Sequence, residues 1–157
     1  MSREANSGSS GVGPAAALAF SGIGFVALAI CGLGIASLVT NTDVITTRGL
    51  GQIPGVVGFV GALAGWAGAT WVGLRRTRPS FFTAGWACAA GYLAYIFVTG
   101  IAAAIAVADT AVGGSVAAAL AVGWPGGIIA FAAFIASWSA IALVRTRAQP
   151  PQWPWER

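Results

Sequence analysis

The chain has 157 residues, 57% of them hydrophobic and only 8% charged, with a mean hydropathy of +0.82, which excludes a water-soluble domain of this length. A bilayer-spanning helix needs about 20 mostly apolar residues, so the length holds four spans with short connections and no sizeable extramembrane domain. The net charge is +4, yet all eight basic residues are arginines standing in short clusters at the ends of apolar segments. Membrane topology requires that placement, so the charge does not indicate nucleic acid. With 34 Ala and 23 Gly, over a third of the chain is small residues, the bias of a genome rich in G and C.

Residues 1–13 are Ser/Gly-rich without apolar periodicity and read as a flexible cytoplasmic tail. From Pro14 to Val39 the chain is apolar and uncharged, with Pro14 suited to the first helical position. This is span one, too long for a signal-peptide core, and it is read as uncleaved. After the polar, Gly-broken stretch 40–53, Pro54-Gly55 opens span two, which ends at Leu74 before Arg75-Arg76-Thr77-Arg78-Pro79. Span three runs over 81–107, followed by Asp109 and an expected turn at Gly113-Gly114-Ser115. Span four ends at Val144. Its start has two readings: a kinked helix from Val116, or a helix from Trp124 or Pro125 with 116–123 as a short apolar piece at the membrane surface. The second is preferred, because Trp124-Pro125-Gly126-Gly127 breaks or kinks a helix and because of an internal repeat.

Pro14, Asp43, Pro54-Gly55 and Arg76-Thr77-Arg78 in the first half recur as Pro79, Asp109, Pro125-Gly126 and Arg145-Thr146-Arg147 in the second, offset by 65 to 71 residues. The match reads either as two parallel-repeat hairpins related about an axis along the membrane normal or as convergent topology signals. Seven arginines (3, 75, 76, 78, 145, 147, 157) fall on one side of the spans and Arg48 alone on the other, which predicts cytoplasmic termini. The fold expected is an all-α integral membrane bundle of four spans, about 14–39, 54–74, 81–107 and 124–144, with a Pro/Trp-rich cytoplasmic tail at 148–157.

No carboxylate, histidine or lysine lies within any span. Intramembrane ionisable groups are where proton relays and ion-coupled sites are built, so a small multidrug exporter, similar in size but dependent on an embedded carboxylate, is disfavoured. The usual haem and copper ligands are missing too, so no cofactor, metal or catalytic residue is assigned. Cys31 and Cys88 enter their spans at depths differing by ~15 Å at ~1.5 Å per residue, while a disulfide needs Cα atoms within about 7 Å. They read as small buried packing residues.

Small residues recur four apart on span two at Gly61, Gly65, Ala69 and Gly73, with Gly58 and Gly68 nearby and Trp66 and Trp71 flanking. In lipid such a stripe lets backbones approach closely enough for dispersion to hold them, so it is the candidate helix-packing site, inside the bundle or with a partner. Shorter stripes lie on span one (Gly24, Gly32, Ala36) and span four (Ala132, Ala136, Ala140). Phe20, Phe81, Phe82, Trp86, Trp124 and Trp138 stand near span ends, where aromatics anchor in the lipid interface. In the tail, Pro151, Trp153, Pro154 and Trp155 form a stiff, Trp-bearing segment that either docks on a partner or rests among headgroups.

Three functions compete: a non-catalytic subunit of a larger inner-membrane complex, a small carrier or channel for a neutral or lipidic solute, and an intramembrane enzyme, which lacks any nucleophile-and-base or metal constellation. The Ala/Gly/Arg bias, the absence of lysine, the four short spans and the tail Arg145-x-Arg147…Pro150-Pro151-x-Trp153-Pro154-Trp155-Glu156 resemble small actinobacterial four-helix membrane proteins. Among these are accessory subunits of the cytochrome bcc–aa3 respiratory supercomplex. The resemblance implies a stabilising subunit beside the haem and copper subunits in a bacterial inner membrane, and it transfers no catalytic residue.

Overall fold

A computed structural model describes residues 13–45, 50–76 and 80–145. Among the described residues five helices follow in order: α1 (Pro14–Thr40), α2 (Ile53–Leu74), α3 (Phe82–Val107), α4 (Thr110–Val122) and α5 (Trp124–Arg145). There is no strand among the described residues. Four helices, all but α4, are long and apolar enough to cross a membrane, and the chain is a multi-pass helical membrane protein. Prolines stand in the first turns of α1, α2 and α5, where the missing N–H removes no intrahelical bond. The expected spans differ from these helices by a residue at one end: α1 extends to Thr40, α2 starts at Ile53, α3 starts at Phe82 and α5 reaches Arg145.

Two ends of the bundle are distinguished by charge. Arg75, Arg76 and Arg145 stand at the end where α2 and α5 finish and α3 begins, and Asp43 and Asp109 stand beyond α1 and α3 at the other. α1 and α3 both finish on a residue in the left-handed region, Asn41 at φ 50° and Ala108 at φ 54°. At Ala108 the conformation lets the N–H groups of Ala108 and Asp109 return to the carbonyls of Ile105 and Ala104, filling acceptors a helix end leaves open. The Asp109 carboxylate then accepts from Ala111 N at 2.8 Å and caps α4.

This two-residue corner corrects the expectation for the second half. Gly113-Gly114-Ser115 is not a turn but lies inside α4, and residues 116–122 of the apolar piece expected from 116 to 123 belong to the same 13-residue helix, which begins at Thr110. α4 doubles back along α3. A Cβ on Gly113 would lie 2.6 Å from the Gly100 carbonyl oxygen, and one on Gly100 would lie 2.9 Å from the Ala117 Cβ, so these small residues carry a contact in which backbones nearly touch. The helical path breaks at Gly123, which is extended at φ −82°, ψ 165°, and resumes at Trp124, as the preferred reading of span four expects.

Packing is most extensive between α2 and α3, followed by α1 with α5 and α3 with both α4 and α5, while α1 and α2 touch only slightly. The core sits where α1, α2, α3 and α5 converge. Phe25 of α1 stacks on Trp66 of α2, centroids 5.2 Å apart and planes 10° apart, and on Phe59 at 6.0 Å. Ala87, Tyr95, Ile129, Ala132, Ala133 and Ala136 close the same cluster.

Candidate helix-packing site

Gly58, Gly61, Gly65 and Gly73 of span two face α3. A Cβ on Gly65 would lie 2.8 Å from the Ala94 Cβ and 3.0 Å from the Ala90 carbonyl oxygen, and one on Gly61 would meet all three side-chain carbons of Val98 within 2.9 Å. At Gly58 and Gly73 the added atom would collide with Thr99 and Thr83. Ala69 is half-buried and packs against the core. The stripe is therefore a seam running almost the full length of α2, and α3 takes the close-approach face of Gly61, Gly65 and Gly73 that a partner helix would use. Gly68, which has nothing within 4 Å, stands on the open side of the helix. On α1, Gly32 opposes Ile128 of α5, and on α5 Ala132, Ala136 and Ala140 are buried.

A polar node that no local signal marks lies beside this seam. The Trp66 indole Nε1–H is directed at Ser137 Oγ, 2.7 Å away, and at the Ala133 carbonyl oxygen, 3.0 Å away. Thr70 Oγ1 hydrogen bonds Ser137 Oγ at 3.0 Å. All three side chains are buried, and a hydrogen bond is what makes such burial tolerable. Here α2 is tied to α5 at a position where sheer apolarity could not fix their register. The span-two tryptophans thus have different roles: Trp66 bonds into the core, whereas Trp71 lies under the Arg75 guanidinium at 5.1 Å.

Of the cysteines, Cys88 donates from Sγ to the Ala130 carbonyl at 3.2 Å, whereas Cys31 is exposed on α1. Cys31 is thus not the buried packing residue expected. Phe81 and Trp138 meet edge to face at 6.1 Å, with Arg145 4.8 Å from the Phe81 ring centre. The tail residues Pro151, Trp153, Pro154 and Trp155 lie outside the described residues.

Two grooves open at opposite ends and share no lining residue. The one at the aspartate end, about 400 Å³, is bounded by Thr40, Asp43 and Ile45 after α1, by Val116 and Leu120 of α4, and by Trp124. The one at the arginine end, about 460 Å³, lies between α2 and α3 and takes in Val72, Arg76, Ser80, Phe82 and Trp86. Among the described residues no three His, Cys, Asp or Glu side chains gather as a metal site would need.

A family described as "Family of unknown function (DUF6121)" matches residues 14–157. The chain belongs to this family. The DUF6121 match begins at the first residue of α1 and takes in every helix together with the Pro/Trp-rich tail. No curated protein and no solved structure matches the chain.

Proposed function

We propose that this chain is a non-catalytic accessory subunit of a larger bacterial inner-membrane complex. The observation that carries the reading is the bareness of α1. It buries only Ala17, Ser21, Phe25 and Ala29, a narrow seam at four-residue spacing, and leaves Phe20, Ile23, Ile30, Ile35 and Leu38 exposed. In its most apolar stretch 11% of residues are buried, against 39% in α5. A helix attached so narrowly offers a broad apolar face to a neighbour, and the stripe on α2 is unavailable for that purpose. The cytochrome bcc–aa3 respiratory supercomplex is the specific partner proposed, on the resemblance of the tail, and catalysis is assigned to the partner. Purification in mild detergent through a C-terminal tag, read by mass spectrometry and haem absorbance, should recover haem-bearing subunits. A chain that runs alone in native membranes would overturn the subunit reading.

Two finer features of architecture belong to the same proposal. Both termini are cytoplasmic, supported by the gathering of Arg75, Arg76 and Arg145 at one end. The two halves are a parallel repeat, supported by the left-handed helix ends at Asn41 and Ala108 and the proline-opened helices α2 and α5. In that frame α4 has no counterpart among the described residues of the first half.

A carrier for a neutral or lipidic solute is the second reading, favoured by the groove at the aspartate end and the helix break at Gly123 beside it. Solute movement across liposomes containing the purified chain alone would replace the first reading with this one.

A further inference from the structure

We propose that the groove between α2 and α3 at the arginine end is a binding site for one anionic phospholipid, a feature independent of the accessory-subunit reading. The groove combines two chemistries in a fixed order. Its rim carries the exposed Arg76 and the Ser80 hydroxyl, and its walls are apolar: Val72 on α2, and Phe82 and Trp86 on α3, which are 83% and 73% exposed. Gly68, one turn beyond Val72 toward the middle of the membrane, leaves open space below the rim. Charge at the end of the bundle above an open apolar track is the order of groups in a phospholipid, phosphate over acyl chain.

Among the described arginines at this end, Arg76 is the one that lines the groove. Arg75 lies over the Trp71 ring and Arg145 over the Phe81 ring, whereas Arg76 faces the groove. The acidic residues among those described, Asp43 and Asp109, are at the opposite end of the bundle, so no described carboxylate neutralises it. A guanidinium recognises phosphate through paired N–H donors, and exposed Trp and Phe at a span end sit at headgroup depth. A soluble anion would use the rim and leave the aromatic walls without a role. Beneath the groove α2 and α3 approach closely, since a Cβ added to Gly73 would collide with Thr83.

The test uses the full chain in detergent and native mass spectrometry, with phosphatidylglycerol and phosphatidylcholine of identical acyl chains as probes. The wild type should retain one phosphatidylglycerol in preference to phosphatidylcholine. Arg76→Gln should lower phosphatidylglycerol occupancy about fivefold, the scale of one basic residue at an anionic lipid surface, and leave phosphatidylcholine unchanged. Gly68→Trp, which fills the apolar track where nothing is displaced, should lower retention of both lipids, and circular dichroism should report unchanged helix content for each variant. Equal binding of the two lipids by the wild type, unchanged phosphatidylglycerol occupancy in Arg76→Gln, or displacement of the lipid by millimolar inorganic phosphate would each overturn the proposal, the last by making the site one for soluble anions.

Discussion

The Tyr92 hydroxyl of α3 donates to the Ala121 carbonyl of α4 at 2.8 Å, filling an acceptor that the chain itself leaves vacant. In a continuous helix Ala121 would accept from the N–H of residue 125, which is proline and has none. The Tyr92 side chain thus substitutes for a missing backbone donor at the point where α4 gives way to α5. Its ring also touches the backbone turn, since a Cβ on Gly126 would lie 3.0 Å from it.

Tyr92→Phe keeps the ring and removes the donor, so it isolates this bond. Loss of about 1 kcal/mol is expected, the usual net worth of a hydrogen bond, with faster amide exchange at Gly123, whose N–H bonds the Ala119 carbonyl at 2.8 Å. Exchange rates unchanged at 119–123 would show that the break is held by packing alone.

The α2 seam makes a paired prediction. Gly65→Leu puts a branched side chain against the α3 backbone at Ala90, and overpacking of this kind costs about 1–3 kcal/mol. The loss should appear as lower stability of the isolated chain in a detergent unfolding titration, before any partner is considered. Gly68→Leu, on the open side of the same helix, should be tolerated. Equal effects at the two positions would mean that α2 presents a different face to α3.

Orientation is tested with reporters that are active only outside the cytoplasm. A fusion after Arg157 should be silent and an insertion at Gly49 active, as the seven-to-one arginine division requires. The reverse pattern would invert the bundle and move the proposed lipid site to the opposite leaflet.

The span boundaries were legible because their signals are local: Pro14, Pro54 and Pro125 open helices, and the arginines after Leu74 and Val144 close them. α4 was not, because Gly113-Gly114-Ser115 has the composition of a turn. Its glycine serves instead to let α4 approach Gly100, a residue on another helix. Asp109 before Thr110 was the readable sign of a helix start, and small residues four apart on both sides of it (Gly100 and Ala104, Gly113 and Ala117) were the sign of a close crossing. The stripe Gly61, Gly65 and Gly73 was visible as a contact surface, but which helix covers it depends on topology, and α3 follows α2 directly through a short connection. No neighbouring residue marks Trp66 for a bond to Ser137, 71 positions away.

That bond is the place where the chain's register between α2 and α5 is most open to a direct test. Trp66→Phe removes the donor while keeping much of the stacking on Phe25, and Ser137→Ala removes the acceptor while leaving the Ala133 carbonyl at 3.0 Å as a second partner for the indole. Ser137→Ala, which also takes from Thr70 the hydroxyl it bonds, should cost about 1 kcal/mol, and Trp66→Phe about 1–2 kcal/mol, because it removes a donor from both Ser137 and the Ala133 carbonyl and opens space in a packed core. In the double variant the losses should fall short of their sum by about 0.6 kcal/mol, the average coupling of hydrogen-bonded pairs between membrane helices. Additive losses in a detergent unfolding titration would show that the indole is held by the Ala133 carbonyl and by stacking, and that Ser137 serves Thr70 alone.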